Sequence, residues 1–256
     1  EWAHQRGVGT MSEMIYGFPS ETPQSFIQGV ETLIDKGVDK VLIFPLQLFP
    51  GIELRTPASR ARFGLQTRFR LMEDYFGIYG ADRSKRGSQP EEEGWDGNLA
   101  AAEVEEVVVG SDTSSFDDYL IMRRYAFYLM ALLGRGYGLP LFQFCRNAGL
   151  SAAPLIGHLA RSAFPKDSYL HAQFKEYDER ATQELYPTRE ACQQDALGKL
   201  ARGVAIRGRK LNLIFLGRIF RSAEGLGEFS ERCHEFLVTQ AALDPRWERA
   251  VQFHQE

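Results

Sequence analysis

The chain lacks the features that would assign it to several common classes at once. It has three cysteines, Cys145, Cys192 and Cys233, tens of residues apart. An odd, scattered count excludes a disulfide scaffold and fits a reducing cytosol. The same spacing excludes a compact cluster-binding loop, which needs thiolates a few residues apart. No apolar run is long enough to span a bilayer. No basic excess exists: the formal net charge is −4, against the footprint of a nucleic-acid binder. No internal repeat is visible, and residues 139–256 hold no catalytic motif. Cys145 lies in the apolar stretch Leu139–Cys145 and reads as a small core hydrophobe. Cys233 adjoins His234, a pair that more often packs than binds metal.

What is present is an ordinary globular composition, 44% hydrophobic and 25% charged over 256 residues. The chain opens on Glu1, and Trp2–Gly7 reads as a helix tail closed by a C-cap glycine, so an upstream segment is expected. Thr10–Gly17 reads as a short buried strand. Thr22 is a helix N-cap and Pro23 suits the first helical position. The helix Pro23–Lys36 places Phe26, Ile27, Val30, Leu33 and Ile34 on one face, and Gly37 ends it. Asp39–Phe44 is a second strand, apolar enough to be buried on both faces. Strand, helix, strand with short turns predicts a βαβ unit in a parallel sheet. Ligands of such sheets sit beyond the carboxyl ends of the strands. Gly17–Thr22 and Pro45–Leu54 lie there, and from the residues alone both also read as ordinary turns.

The wording of these turns resembles the radical SAM superfamily. EMIYGFPSET followed by LQLFPGIEL is similar to strand five and the strand-six exit of a partial (β/α)6 barrel. The family turn Gly-Leu/Phe-Pro-Gly-Glu-Thr appears as Gly17-Phe18-Pro19-Ser20-Glu21-Thr22, with Ser20 replacing glycine. The family Pro-Gly-Thr element appears as Pro50-Gly51-Ile52-Glu53-Leu54, with Ile52 replacing threonine. TPASRARFGLQTRFRL and EVEEVVVGSDTSSFDDYLIMRRYAFYL resemble the class that carries an upstream cobalamin-binding domain. The resemblance covers roughly residues 1–135.

The resemblance implies that Ile15, two before Gly17, packs on the adenine of S-adenosylmethionine. It implies that Phe44, Pro45 and Leu46 offer backbone contacts to the same adenine, and that Glu13 shares the strand face of Ile15. Plain barrel packing of Ile15 and Phe44 is the alternative for those two residues, and a solvated strand-end charge is the alternative for Glu13. It further implies a [4Fe-4S] cluster that splits S-adenosylmethionine reductively, with cobalamin-dependent methyl transfer among the possible reactions. The three-cysteine loop of the family follows strand one and would precede Glu1, so no catalytic and no metal-binding residue is assigned here. The expected partners are the upstream part of the same chain, with the rest of the barrel and a possible cobalamin domain, and a small-molecule or lipid-like substrate. Neither nucleic acid nor a membrane span is expected, and the setting is cytoplasmic. The alternative is a non-catalytic helical interaction or substrate-binding module joined to a degenerate barrel remnant.

The expected fold class is α/β, then mainly α. Residues 1–72 would complete a TIM-like barrel, residues 73–135 form an extension, and residues 136–256 form a helical region. Thr56-Pro57 starts a short helix ending at Gly64, Thr67–Leu71 and Glu103–Gly110 read as strands, and 81–98 reads as a flexible insertion. Ser114–Leu133 reads as a helix capped at Ser115, with Tyr119, Met122, Tyr125, Ala126, Leu129 and Leu133 as its apolar stripe. Beyond it the chain is helical to its end, broken at Pro165, Pro187, Gly203–Gly208 and Pro245. Arg55, Arg60, Arg62, Arg68 and Arg70 form a basic cluster that either meets an anion or is solvated and paired with nearby carboxylates. A strand-five edge without its partner predicts that this chain alone self-associates.

Overall fold

The computed structural model describes residues 2–79, 99–202 and 211–255. The insertion expected at 81–98 and the break at Gly203–Gly208 lie outside the described residues. A short 3-10 turn, His4–Arg6, closes at Gly7, whose φ of 69° is the left-handed conformation of a C-cap glycine. Asp39 ties this segment to the sheet. Its carboxylate accepts from the Thr10 N–H at 2.7 Å and lies 2.8 Å from the His4 ring nitrogen. These bonds, the Thr10 N–H first, hold the Asp39 carboxyl down at about 2.

Strand β1 (Met11–Tyr16) and strand β2 (Lys40–Pro45) pair in parallel, with Glu13 opposite Leu42 and Ile15 opposite Phe44. Helix α1 (Pro23–Asp35) joins them. It forms where the sequence predicts because Thr22 and Ser25 make a reciprocal capping box ahead of Pro23. It buries Phe26, Ile27, Val30 and Ile34. The βαβ unit is therefore as expected. The burial of its strands is not. Of β1 only Tyr16 is buried, and of β2 only Val41 and Pro45. Inward residues of the pair rest on the helical core, while the outward face carries nothing among the described residues. Apolar strand composition signals burial only when a second layer exists to cover it.

Helix α2 (Pro57–Phe63) starts at the Thr56 cap and stops at Gly64, φ 59°. Strands β3 (Gln66–Tyr79) and β4 (Leu99–Gly110) are antiparallel and extend past the Thr67–Leu71 and Glu103–Gly110 limits read from the sequence. An irregularity between Leu71 and Phe76 shifts their register. Residues following β2 then cross to β4: the Leu46 N–H donates to Tyr16 C=O at 2.8 Å, and the Val108 N–H donates to Leu46 C=O at 2.9 Å.

Helix α3 (Phe116–Leu129) runs through the centre of the core, beginning at a Ser115–Asp118 capping box. It ends in a π turn, Met130–Gly134, where a regular helix through Leu133 is expected from the sequence. Tyr119, Met122, Tyr125 and Leu129 of the predicted stripe are buried. Around it lie α4 (Leu139–Asn147), α5 (Pro154–Arg161), α6 (Tyr169–Gln183), α8 (Leu211–Arg221), α9 (Ala223–Leu243) and α10 (Glu248–Gln255), while α7 (Arg189–Ala201) covers β3 and β4. Breaks fall around Pro165, Pro187 and Pro245 as predicted, and at two further places, Ala148–Ala153 and Ser222. The result is an α/β unit followed by a mainly helical region. Among the described residues, no helix is long and apolar enough to cross a membrane.

Side chains from one helix also fasten the next. The Glu228 carboxylate of α9 accepts from the Tyr169 and Leu170 backbone N–H groups, both at 2.8 Å, at the start of α6. These donors have no intrahelical acceptor, and the helix dipole adds to the attraction. Glu228→Ala is therefore expected to lower unfolding free energy by about 1–2 kcal/mol. A urea midpoint unchanged from wild type would show that solvent satisfies these groups as well as the carboxylate does.

Candidate functional site

The face of interest is built by strand alternation. Successive side chains point to opposite sides, so Met11, Glu13 and Ile15 share one side with Lys40, Leu42 and Phe44. Ile15 and Phe44 are direct cross-strand neighbours, 43% and 41% exposed. Glu13 is exposed on the same side, two residues from Ile15. The three form a continuous open surface at the carboxyl end of the parallel pair. Pro45 and Leu46 do not join it. Both are buried, and Leu46 packs with Leu48 and Val108. The backbone N–H and C=O of Leu46 each already have a sheet partner.

The turn Gly17–Thr22 follows directly on β1 and leads into α1. Gly17 adopts φ 97°, open to glycine and strained for other residues. A Cβ there would lie 3.7 Å from Leu46 Cβ and 3.8 Å from Val108, an ordinary contact, so the backbone conformation is what requires glycine. The Glu21 N–H donates to Phe18 C=O at 3.2 Å, and the Glu21 carboxylate accepts from the Gly17 N–H at 3.3 Å. Partial burial raises the Glu21 carboxyl above its ordinary range, against the lowering effect of the Gly17 and Phe18 N–H groups. The turn is anchored by Tyr16, whose ring packs edge-on to Phe26 and near Tyr119. Burial pushes the Tyr16 phenol well up, so it stays neutral; its hydroxyl has no hydrogen-bond partner among the described residues. Two cavities of about 10 Å³ flank Tyr16 and Gly17, each room for one water.

Ser20 is the one non-glycine residue with positive φ, 63°, among the described residues. The left-handed conformation costs an L-residue about 1–2 kcal/mol, while glycine loses about 0.5–1 kcal/mol more chain entropy on folding. Ser20→Gly is expected to stabilise the chain by up to about 1 kcal/mol, and Ser20→Val to destabilise it by more than that. A lower melting temperature for Ser20→Gly would mean that the serine hydroxyl has a role that geometry does not reveal.

The basic cluster resolves into ion pairs. Glu105 and Glu106 are adjacent on β4, point to opposite sides and are both buried. Glu106 meets Arg60 at 2.7 Å, Arg55 at 3.5 Å and the Thr67 hydroxyl at 2.8 Å. Glu105 pairs with Arg70 and accepts from the Gln47 amide. Arg62 lies over the Phe63 ring, and Arg68 donates to the Thr67 carbonyl. Of the two readings open in the sequence, carboxylate pairing thus holds for Arg55, Arg60 and Arg70.

The cysteines do not fit a metal cluster. All three are buried free thiols, and burial raises Cys145 and Cys192 to about 11 and Cys233 to about 12. Each is a free thiol, protonated at neutral pH. Among the described residues no group of three or more His, Cys, Asp or Glu is arranged to hold a metal ion. His234 stacks near His254 instead. No protein-family model matches the chain, and no curated protein matches it.

Proposed function

We propose that this chain provides the adenine-side wall of an S-adenosylmethionine site in a radical SAM enzyme, with β1 and β2 as the fifth and sixth strands of a partial (β/α)6 barrel. The observation that carries the reading is the in-register pair Ile15 and Phe44, half-exposed at the carboxyl end of the parallel strands. A flat apolar ring can lie against an apolar pair of this kind at a strand end and cover it from water. Ser20 adds support: it holds positive φ at the place where the resembled turn carries glycine. Ile15 and Phe44 would exclude water from one adenine face, and Glu13 would face the same space. Pro45 and Leu46 would act from behind, by fixing the strand exit.

The cluster ligands, and cobalamin if it is used, would belong to other parts of the whole protein. The three cysteines of this chain are tens of residues apart and do not form the three-cysteine loop of the family. A cytoplasmic setting belongs to the same proposal, as do a barrel partner along β1 and a small-molecule or lipid-like substrate. The test is anaerobic cluster reconstitution of the full-length protein, with S-adenosylmethionine and a one-electron reductant. Release of 5′-deoxyadenosine and methionine is the expected result. Its absence in a correctly reconstituted protein, or an upstream sequence without a three-cysteine loop, overturns the reading in favour of a non-catalytic helical module.

A further inference from the structure

We infer that Thr113 is a positioning residue for the adenine wall, an inference that rests on the function proposed above. The Thr113 hydroxyl donates to the Glu21 carbonyl at 2.8 Å, across 92 residues of sequence. Inside the Gly17–Thr22 turn, the Glu21 N–H and carboxylate are both spent on folding the turn back on itself. Its carbonyl is therefore the group left to fix how the turn sits against the rest of the protein.

Thr113 is itself held in place. Its N–H donates to Ser111 Oγ at 3.2 Å, and its hydroxyl lies 3.3 Å from the same atom. The Ser111 N–H donates to Ser114 C=O at 2.7 Å, closing the loop, and the Asp112 N–H donates to Phe63 C=O at 3.1 Å. Ser115, the next residue but one, caps α3. One short loop thus joins the exit of β1, the end of α2 and the start of the central helix. Ile15 lies two residues before Gly17, so movement of the turn changes the register of the wall against its ligand. Small misplacements at a binding surface weaken binding disproportionately.

The test compares Thr113→Val, which keeps the shape without the donor, with Thr113→Ser, which keeps the donor. Two measurements are made on each: hydrogen exchange of the Gly17–Thr22 amides, and S-adenosylmethionine affinity of the reconstituted full-length protein by equilibrium dialysis. Thr113→Val is expected to speed exchange at these amides and to weaken binding about three- to tenfold, as loss of one hydrogen bond allows. Turnover at saturating S-adenosylmethionine stays near wild type, and Thr113→Ser restores both readouts. Equal affinity for wild type and Thr113→Val, with slow exchange in both, overturns the inference while leaving the proposed function intact. So does equal damage from Val and Ser. A Thr113→Val protein that loses its helical signal also overturns it, because the hydroxyl is then a general structural tie. Wild-type protein that binds no S-adenosylmethionine overturns the proposed function, and this inference with it, even where the exchange data reveal the clamp.

Discussion

On the proposed function, Ile15→Asp is expected to weaken S-adenosylmethionine binding by the full-length protein at least about tenfold, while lowering the stability of the 256-residue chain by about 1 kcal/mol or less. The two effects separate because of where the side chain lies. Ile15 is 43% exposed and faces away from the core that Tyr16 enters one residue later. A surface substitution of this kind has little to disrupt in the folded chain. Against a bound adenine the same carboxylate removes an apolar contact and must itself lose water, and about 1.4 kcal/mol of such loss is tenfold in affinity. Phe44→Asp, directly opposite, is expected to act alike. Chemical denaturation of the chain and equilibrium dialysis on the full-length protein supply the two numbers. Undiminished affinity in both variants would remove Ile15 and Phe44 from the site.

The largest loss of stability is expected from Arg70→Met, about 3–5 kcal/mol. The Arg70 and Glu105 side chains are 20% and 7% exposed and hydrogen-bonded to each other. Removing the guanidinium leaves the carboxylate buried with the Gln47 amide as its remaining partner among the described residues. An uncompensated buried charge costs far more than the intact pair contributes, because its desolvation is no longer offset. The double variant Arg70→Met/Glu105→Leu is for that reason expected to be more stable than Arg70→Met alone. Urea unfolding of wild type, both singles and the double gives the coupling between the two residues. A loss below about 1 kcal/mol in the single variant would show that water reaches Glu105 and screens it.

These two sites illustrate what a sequence conveys and what it does not. The β1–α1–β2 unit was legible because its signals are local: a capping threonine, a proline at the first helical position, helical spacing of Phe26, Ile27, Val30 and Ile34. The pairing of Arg70 with Glu105 was open to two interpretations because it joins residues 35 apart, and only strand register brings them together. The Thr113 clamp on Glu21 gave no sequence signal at all. Exposure of Ile15 and Phe44 could not be read either, since an apolar strand looks the same whether or not a layer covers it. The Ala148–Ala153 break did leave a trace, in Gly149 with φ 71° and in Pro154 at the start of α5. The extended reach of β3 and β4 was hidden because their pairing continues through glycine and alanine residues of weak strand preference, Gly77 and Ala100–Ala102.

Leu46 has a wider consequence than its place behind the site. Its N–H closes the parallel pairing with β1, and its C=O opens the antiparallel pairing with β4. A division of the chain at residue 72 thus separates sequence segments but cuts across a hydrogen-bonded seam. Excising residues 1–72 on their own would strip the β2 exit of its β4 neighbour. Leu46 and Leu48 would then face water, and Arg55 and Arg60 would lose their shared carboxylate, Glu106. The β1–α1–β2 unit and the β3–β4 pair are accordingly one folding unit, since each completes its hydrogen bonds and its buried ion pairs only against the other.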